Sequence, residues 1–194
     1  MLSPDVWALL TPGNFVAAVI VVAMLIYALT GGADFGGGVW DLLATGPRAG
    51  AQRQAIARAI GPIWEANHVW LLVVLVLMFV AFPTAFAAIM TALHLPMLLM
   101  LTGITLRGSA FVFRTYGPDR PEWRRWGVVF GAASAVTPIF LGVVLGAVSS
   151  GRITLRSDGT VVTDFFSEWL SPFPWAIGLM LVALFAFLAA TYLT

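Results

Sequence analysis

The stretch NFVAAVIVVAMLIYALTGG, Asn14 to Gly32, runs for 19 residues without a charge. A helix needs about 20 mostly apolar residues to cross a hydrocarbon core about 30 Å thick. This one is apolar around its whole circumference, so it has no polar face to turn toward water. Four further stretches read the same way: Trp64 to Phe82, Ala85 to Leu106, Trp126 to Val148, and Trp175 to Thr194. The expected fold class is an all-α integral membrane protein. It is a bundle of about five transmembrane helices (roughly 14–32, 64–82, 85–106, 126–148 and 175–194), in a single domain over 1–194.

Composition points the same way. Of 194 residues, 60% are hydrophobic and 10% charged, where a soluble domain carries about 25% charge; the mean hydropathy is +0.96. There is no Cys, which removes disulfides, thiolate metal sites, iron–sulfur clusters and thiol nucleophiles. All ten basic residues are Arg, so there is no P-loop lysine and no Schiff-base chemistry. A net charge of +1 gives no reason to expect nucleic acid.

The arginines are unevenly shared between the connections. Arg48, Arg53 and Arg58 follow the first span, and Arg107, Arg114, Arg120, Arg124 and Arg125 follow the third. The opposite side has only Arg152 and Arg156, beside Asp158, Asp164 and Glu168. Positive residues concentrate on the cytoplasmic side of membrane proteins, so the expectation is an N-terminus outside. The first 13 residues hold Asp5 and no basic residue, which does not read as a signal peptide. Spans two and three are joined by an uncharged hairpin around Pro83-Thr84.

Small residues one turn apart let helix backbones approach closely, and three such pairs occur: Gly32 with Gly36, Gly127 with Gly131, and Gly142 with Gly146. Trp64, Trp70, Trp123, Trp126, Trp169 and Trp175 fall near expected helix ends, as interfacial aromatics do. Ala51 to Ile60 reads as a short helix on the inner surface. Ala55, Ile56, Ala59 and Ile60 form its apolar side, and Arg53 and Arg58 reach to water or headgroups.

Three clusters carry the chemistry. In Tyr27-Ala-Leu-Thr-Gly-Gly-Ala-Asp-Phe-Gly-Gly-Gly38, the glycines cost helix stability unless packing or a bend needs them. A phosphate cradle would need a preceding strand and a lysine, and neither is present. Asp34 lies about 30 Å below the outer end of the first span. It is either an interfacial acid facing water or an acid inside the bundle able to relay protons. In Gly61-Pro-Ile-Trp-Glu-Ala-Asn-His-Val-Trp70, Pro62 suits a helix start, and Glu65 and His68 share a face at i,i+3. Glu65 reads equally as an acid favoured by the helix N-terminus and as a partner of Asp34 at the cytoplasmic mouth; Asn67 lies between. The third cluster is Leu106-Arg-Gly-Ser-Ala-Phe-Val-Phe-Arg114. Its Arg107 and Arg114 either anchor the span to the inner surface or pair with Asp34, Glu65 or an acid on a neighbouring chain. The two histidines, His68 and His94, differ in depth by about 10 Å at 1.5 Å per residue, too far for the two faces of one haem iron.

At these clusters the sequence resembles subunit II of the cytochrome bd-type quinol oxidases, particularly the cyanide-insensitive branch. The matching stretches are Thr30 to Gly38, Gly61 to Leu71, and Leu106 to Arg114, in family order and spacing. The resemblance implies an accessory subunit of a respiratory quinol:O2 oxidoreductase, multi-pass in a bacterial cytoplasmic membrane and not catalytic alone. It implies a partner, subunit I, that bears b- and d-type haems and reduces O2 to water, while this chain stabilises it and helps supply cytoplasmic protons. Asp34 and Glu65 resemble the family's proton-entry acids, with Asn67 and His68 beside them; Arg107 and Arg114 resemble its arginine pair. No haem or metal is expected on this chain alone. A structural quinone and a small third subunit stay open, and the contacts expected are lipid and, through the complex, quinol. Two features depart from the family: Gly31-Gly32 stand where it often has Asp-Gly, and the chain has about half the usual length. On the residues alone, a purely structural membrane partner and a stand-alone proton or ion transporter remain alternatives.

Overall fold

The computed structural model describes residues 11–60, 64–116 and 124–194, with side chains except at 60, 64, 65, 115, 116 and 124. Seven helices and one small hairpin follow in order: α1 (Pro12–Leu43), α2 (Ala49–Ile60), α3 (Trp64–Ala81), α4 (Pro83–Ala92), α5 (His94–Tyr116), α6 (Arg124–Ser149), β1 (Thr154–Leu155), β2 (Val161–Val162) and α7 (Pro172–Tyr192). Among the described residues, α1, α5, α6 and α7 are each long and apolar enough to cross a membrane. The pair α3 and α4 meets the same test only together, bent by 117°. The chain is thus an all-α membrane bundle with four spans, or five when the bent pair counts as one.

Helix α1 starts where Thr11 Oγ1 accepts the Asn14 N–H at 3.2 Å and Pro12 takes the first turn, where no N–H is needed. Its apolar run ends at Gly32, yet the helix continues to Leu43, for 32 residues or about 48 Å. Tertiary packing outweighs the helix cost of the glycines, roughly 1 kcal/mol each against alanine. A Cβ at Gly32 would strike the Phe185 ring, and one at Gly36 would strike the α7 backbone. The helical third span expected over 85–106 is interrupted at Leu93 and extends past Leu106 to Tyr116. Pro96 has no N–H to give the Ala92 carbonyl, which loosens the turn there, while Leu93 N–H to Ile89 O and Met97 N–H to Leu93 O hold the chain across the break.

Helix α1 lies on α7, α3 and α6, and α6 lies on α5 and α7. Gly142 and Gly146 sit against Gly178, Ile177 and Pro174 of α7, and Gly131 meets Leu42 and the Gly38 carbonyl of α1. Gly127 does not pack: a Cβ there would meet open space. It falls near the start of α6, before that helix reaches its neighbours.

Buried side chains form three layers. Ala92, Leu93, Val143, Ala147 and Trp169 cluster at the hairpin end, Tyr27, Phe35, Leu181 and Phe185 in the middle, and Ala110, Phe111 and Phe130 at the arginine-rich end. Outward-facing residues such as Phe15, Leu25, Leu72, Phe79 and Phe187 are more than half exposed, a surface suited to lipid. At the hairpin end β1 and β2 pair antiparallel, Thr154 with Val162 and Leu155 with Val161.

Helix α2 differs from expectation in detail. Ile56 is buried, but Ala55 and Ala59 are exposed. Arg53 turns inward instead of to water: its Nε donates to the Asp41 carbonyl at 3.2 Å and its Nη2 to the Ala44 carbonyl at 3.0 Å. These are the carbonyls that the end of α1 leaves without helical partners, and a cation suits the negative end of the helix dipole.

Candidate functional site

The site forms where α1, α3, α5 and α6 meet. Asp34 faces inward and is 2% exposed, so it does not sit at the surface facing water. Asn67 on α3 donates through Nδ2 to Asp34 Oδ2 at 2.8 Å and to the Thr30 carbonyl at 3.3 Å. His68, the next residue, sets its ring edge-on to Tyr27 and to Phe35, each with centroids 6.0 Å apart. Three residues from two separated sequence clusters therefore come together: Asp34, Asn67 and His68. The side chain of Glu65 lies outside the described residues, and so does its expected place beside Asp34.

Arg107 joins them from α5. Far from anchoring a helix end, it is 1% exposed, because α5 runs on past it. Its guanidinium stacks on the Phe35 ring at 4.7 Å and the Phe130 ring at 5.3 Å. Nε donates to Ser134 Oγ at 3.1 Å, and Ser134 Oγ donates in turn to the Phe130 carbonyl at 2.7 Å. Nη2 has no protein partner among the described residues. The guanidinium and the Asp34 carboxylate act on each other through space, and both lie close enough to Tyr27 to act on its phenol. A buried cation beside a buried acid lowers the cost of keeping either one in a low-dielectric bundle.

Arg114 goes elsewhere. Its Nη1 forms an ion pair with Asp41 Oδ1 at 2.8 Å, the carboxylate side chain 2% exposed and the arginine 20%. Its Nη2 donates to the Arg53 carbonyl at 3.4 Å, and its guanidinium lies 5.7 Å from the centre of the Phe130 ring. Asp41 is the residue that reading the sequence missed. The signal was a matched register: Asp34 and Asp41 are seven apart on α1, and Arg107 and Arg114 are seven apart on α5.

No group of three His, Cys, Asp or Glu side chains suited to a metal is found among the described residues. The two imidazoles have different neighbours: His68 packs on α1 aromatics, and exposed His94 packs on Phe165 of the hairpin-end loop. A separate apolar cavity of about 310 Å3 lies among α1 and α3–α7, with Tyr27, Met78, Met100, Leu141 and Phe185 in its wall.

Comparison with known proteins returns one consistent answer. The family model for "Cytochrome bd terminal oxidase subunit II" matches residues 13–194. The chain is 30% identical over 187 residues to "Cytochrome bd-I ubiquinol oxidase subunit 2" of Escherichia coli (strain K12), covering 93% of this chain and 48% of that protein. It is 29% identical over 186 residues to "Probable cytochrome oxidase subunit 2" of Haemophilus influenzae, with 93% and 48% covered. It is also 35% identical over 103 residues to "Cytochrome bd ubiquinol oxidase subunit 2" of Bacillus subtilis (strain 168), covering 52% of this chain and 30% of that one. The chain spans about half the length of the first two of these relatives.

Proposed function

Because the chain belongs to the cytochrome bd terminal oxidase subunit II family, we propose that it serves as the accessory subunit of a respiratory quinol oxidase, joined to a haem-bearing partner in a bacterial cytoplasmic membrane. The partner's haems supply the electron transfer and the reduction of O2 to water. This chain stabilises that partner and carries protons toward it from the cytoplasm.

The orientation that goes with this reading puts the N-terminus outside and the arginine-rich end in the cytoplasm, with seven of the ten arginines there and Arg107 buried within the bundle. The observation that carries the proton role is Asp34, a carboxylate 2% exposed and held by Asn67 at 2.8 Å. An ionisable side chain is expensive to keep inside a membrane bundle and is rarely without function there. Asn67 fixes the orientation of the carboxylate, Arg107 offsets its charge, and His68 borders the same chamber from α3. Glu65, one helical turn before His68 on α3, is the companion acid of this reading. The apolar cavity walled by Tyr27, Met78 and Phe185 is where the isoprenoid tail of a structural quinone would lie.

The test is oxygen consumption by the assembled oxidase carrying Asp34→Asn or Glu65→Gln, with haem content measured from the optical spectrum. Slow turnover at full haem content supports proton supply. Unchanged turnover of both variants rejects it and leaves a structural partner. Proton transport by the purified chain in liposomes, without any haem partner, would replace the reading by a stand-alone transporter.

A further inference from the structure

We propose that Asp41 is the carboxylate through which protons reach Asp34, and that Arg114 is the group that opens and closes it. This rests on the proton-supply reading above and names its entrance. Asp41 follows Asp34 by seven residues on α1, two turns and about 10 Å along the axis, on the same helix face. It is the buried acid nearer the arginine-rich end, and its ion-pair partner Arg114 is one-fifth exposed. The upper pair, Asp34 and Arg107, is sealed inside the bundle. The two acids thus make an inner and an outer station on one line.

Both guanidiniums contact the Phe130 ring, at 5.3 Å for Arg107 and 5.7 Å for Arg114. The polar way between the acids runs past Gly38, which is one turn from each of them. Ser134 Oγ fills the space that a Cβ at Gly38 would take, and it bonds Arg107 Nε. Arg107 Nη2, buried and without a protein partner among the described residues, is a second polar atom at this level. The Ser134 oxygen and the Arg107 Nη2 N–H offer an ordered water an acceptor and a donor.

The steps balance as follows. A proton from water at the inner surface adds to the Asp41 carboxylate, and Arg114, keeping its own charge, swings out toward water. The Asp41 carboxyl then passes the proton, through water held at Ser134 and Arg107, to the Asp34 carboxylate. Ionised again, Asp41 takes Arg114 back. The charged groups that face Asp41 are Arg114 from α5 and Arg53 from α2, the latter bonding the Asp41 carbonyl; the entrance is closed while Arg114 holds the ion pair.

A merely structural ion pair would need Asp41 for assembly and for nothing else. Turnover, haem content and pH profile are therefore measured on the assembled oxidase in vesicles, for Asp41→Asn, Asp41→Glu and Asp34→Asn. The expected result is a loss of about tenfold or more in oxygen consumption for Asp41→Asn at full haem content, regained in Asp41→Glu with a displaced pH profile. If Asp41→Asn turns over normally while Asp34→Asn is slow, the entrance proposal falls and the proton-supply reading stands. If both turn over normally, that reading falls as well. If Asp41→Asn loses its haems, Asp41→Glu decides alone: a displaced pH profile supports the proposal, and one identical to the parent overturns it.

Discussion

The Cα of Gly36 on α1 faces the backbone carbonyl of Phe185 on α7 so closely that a Cβ at position 36 would fall onto that oxygen. A flexible side chain could yield to a methyl group; a helix backbone cannot. Gly36→Ala must therefore push α1 and α7 apart, costing at least the roughly 1–3 kcal/mol typical of overpacking. Gly127→Ala meets open space and gains up to about 1 kcal/mol of helix propensity. Thermal unfolding of the two variants in detergent checks this: Gly36→Ala drops the midpoint and Gly127→Ala holds or raises it. Equal midpoints would show that α1 and α7 do not touch as described.

The bond from Asn67 to Asp34 makes a second, separable prediction. Asn67→Leu keeps the volume but removes the donor, so a buried oxygen loses its partner at a cost of about 1–3 kcal/mol. Adding Asp34→Leu removes the stranded acceptor, and the double variant should be less destabilised than the sum of the singles by at least about 0.5 kcal/mol. Strict additivity in unfolding experiments would mean that the two side chains do not share this bond.

Much of the bundle was legible because a membrane helix announces itself through uninterrupted apolar length, and length is local. What depends on neighbours was not. Nothing in the run after Gly32 says that α1 continues for 11 more residues to Leu43, because the reason lies on α7, some 150 positions away. The break at Leu93 needed Pro96 to be read as a gap in the backbone bonds and not as one apolar residue among many. Asp34, Asn67 and Arg107 stood out as polar residues among apolar ones. Asp41 did not, since it follows the glycine run where a helix end in water was the simpler expectation. Arg53 was placed in water for a similar reason: the carbonyls it caps exist only once α1 is known to end at Leu43.

The ion pair of Asp41 with Arg114 predicts a specific loss of stability. Arg114→Gln leaves a nearly buried carboxylate without its cation, at about 3 kcal/mol, the low end for a buried pair because the arginine side chain is partly exposed. Lysine should not replace it fully, since a point charge cannot bond Asp41 and the Arg53 carbonyl as a planar fork does. Hydrogen exchange at the end of α1 reads the effect directly, with faster exchange around Leu42 and Leu43 expected in Arg114→Gln. Protection equal to the parent would show that α2 and Arg53 hold that end by themselves.

The loop at the hairpin end should loosen in acid while the bundle holds. Asp158 Oδ1 accepts from the Thr160 hydroxyl and from its N–H at 2.9 Å, and these bonds hold the Asp158 carboxyl below the ordinary range. Asp164 Oδ1 accepts the N–H of Ser167 at 2.7 Å and of Phe166 at 2.9 Å, with the same downward effect. A carboxyl lowered in the folded chain contributes order that is fully present above its unfolded value, about 3.9 for Asp, and is lost as pH falls through the folded value. Between neutral pH and about pH 5 the loop should therefore be unchanged, and below about pH 4 it should progressively open. Phe165 makes it sensitive, because this residue is held at a φ of 70°, a conformation strained for an aromatic side chain, by Thr163 Oγ1 on its N–H and the Trp169 indole on its carbonyl. Amide exchange at Thr160, Phe166 and Ser167 across pH 3 to 7, corrected for intrinsic exchange rates, should show protection falling only at the acid end. Asp158→Asn and Asp164→Asn should remove the pH dependence, each at its own turn. Protection that is flat through pH 3, or that falls equally in the core of α6, would show that these two carboxylates do not order the loop.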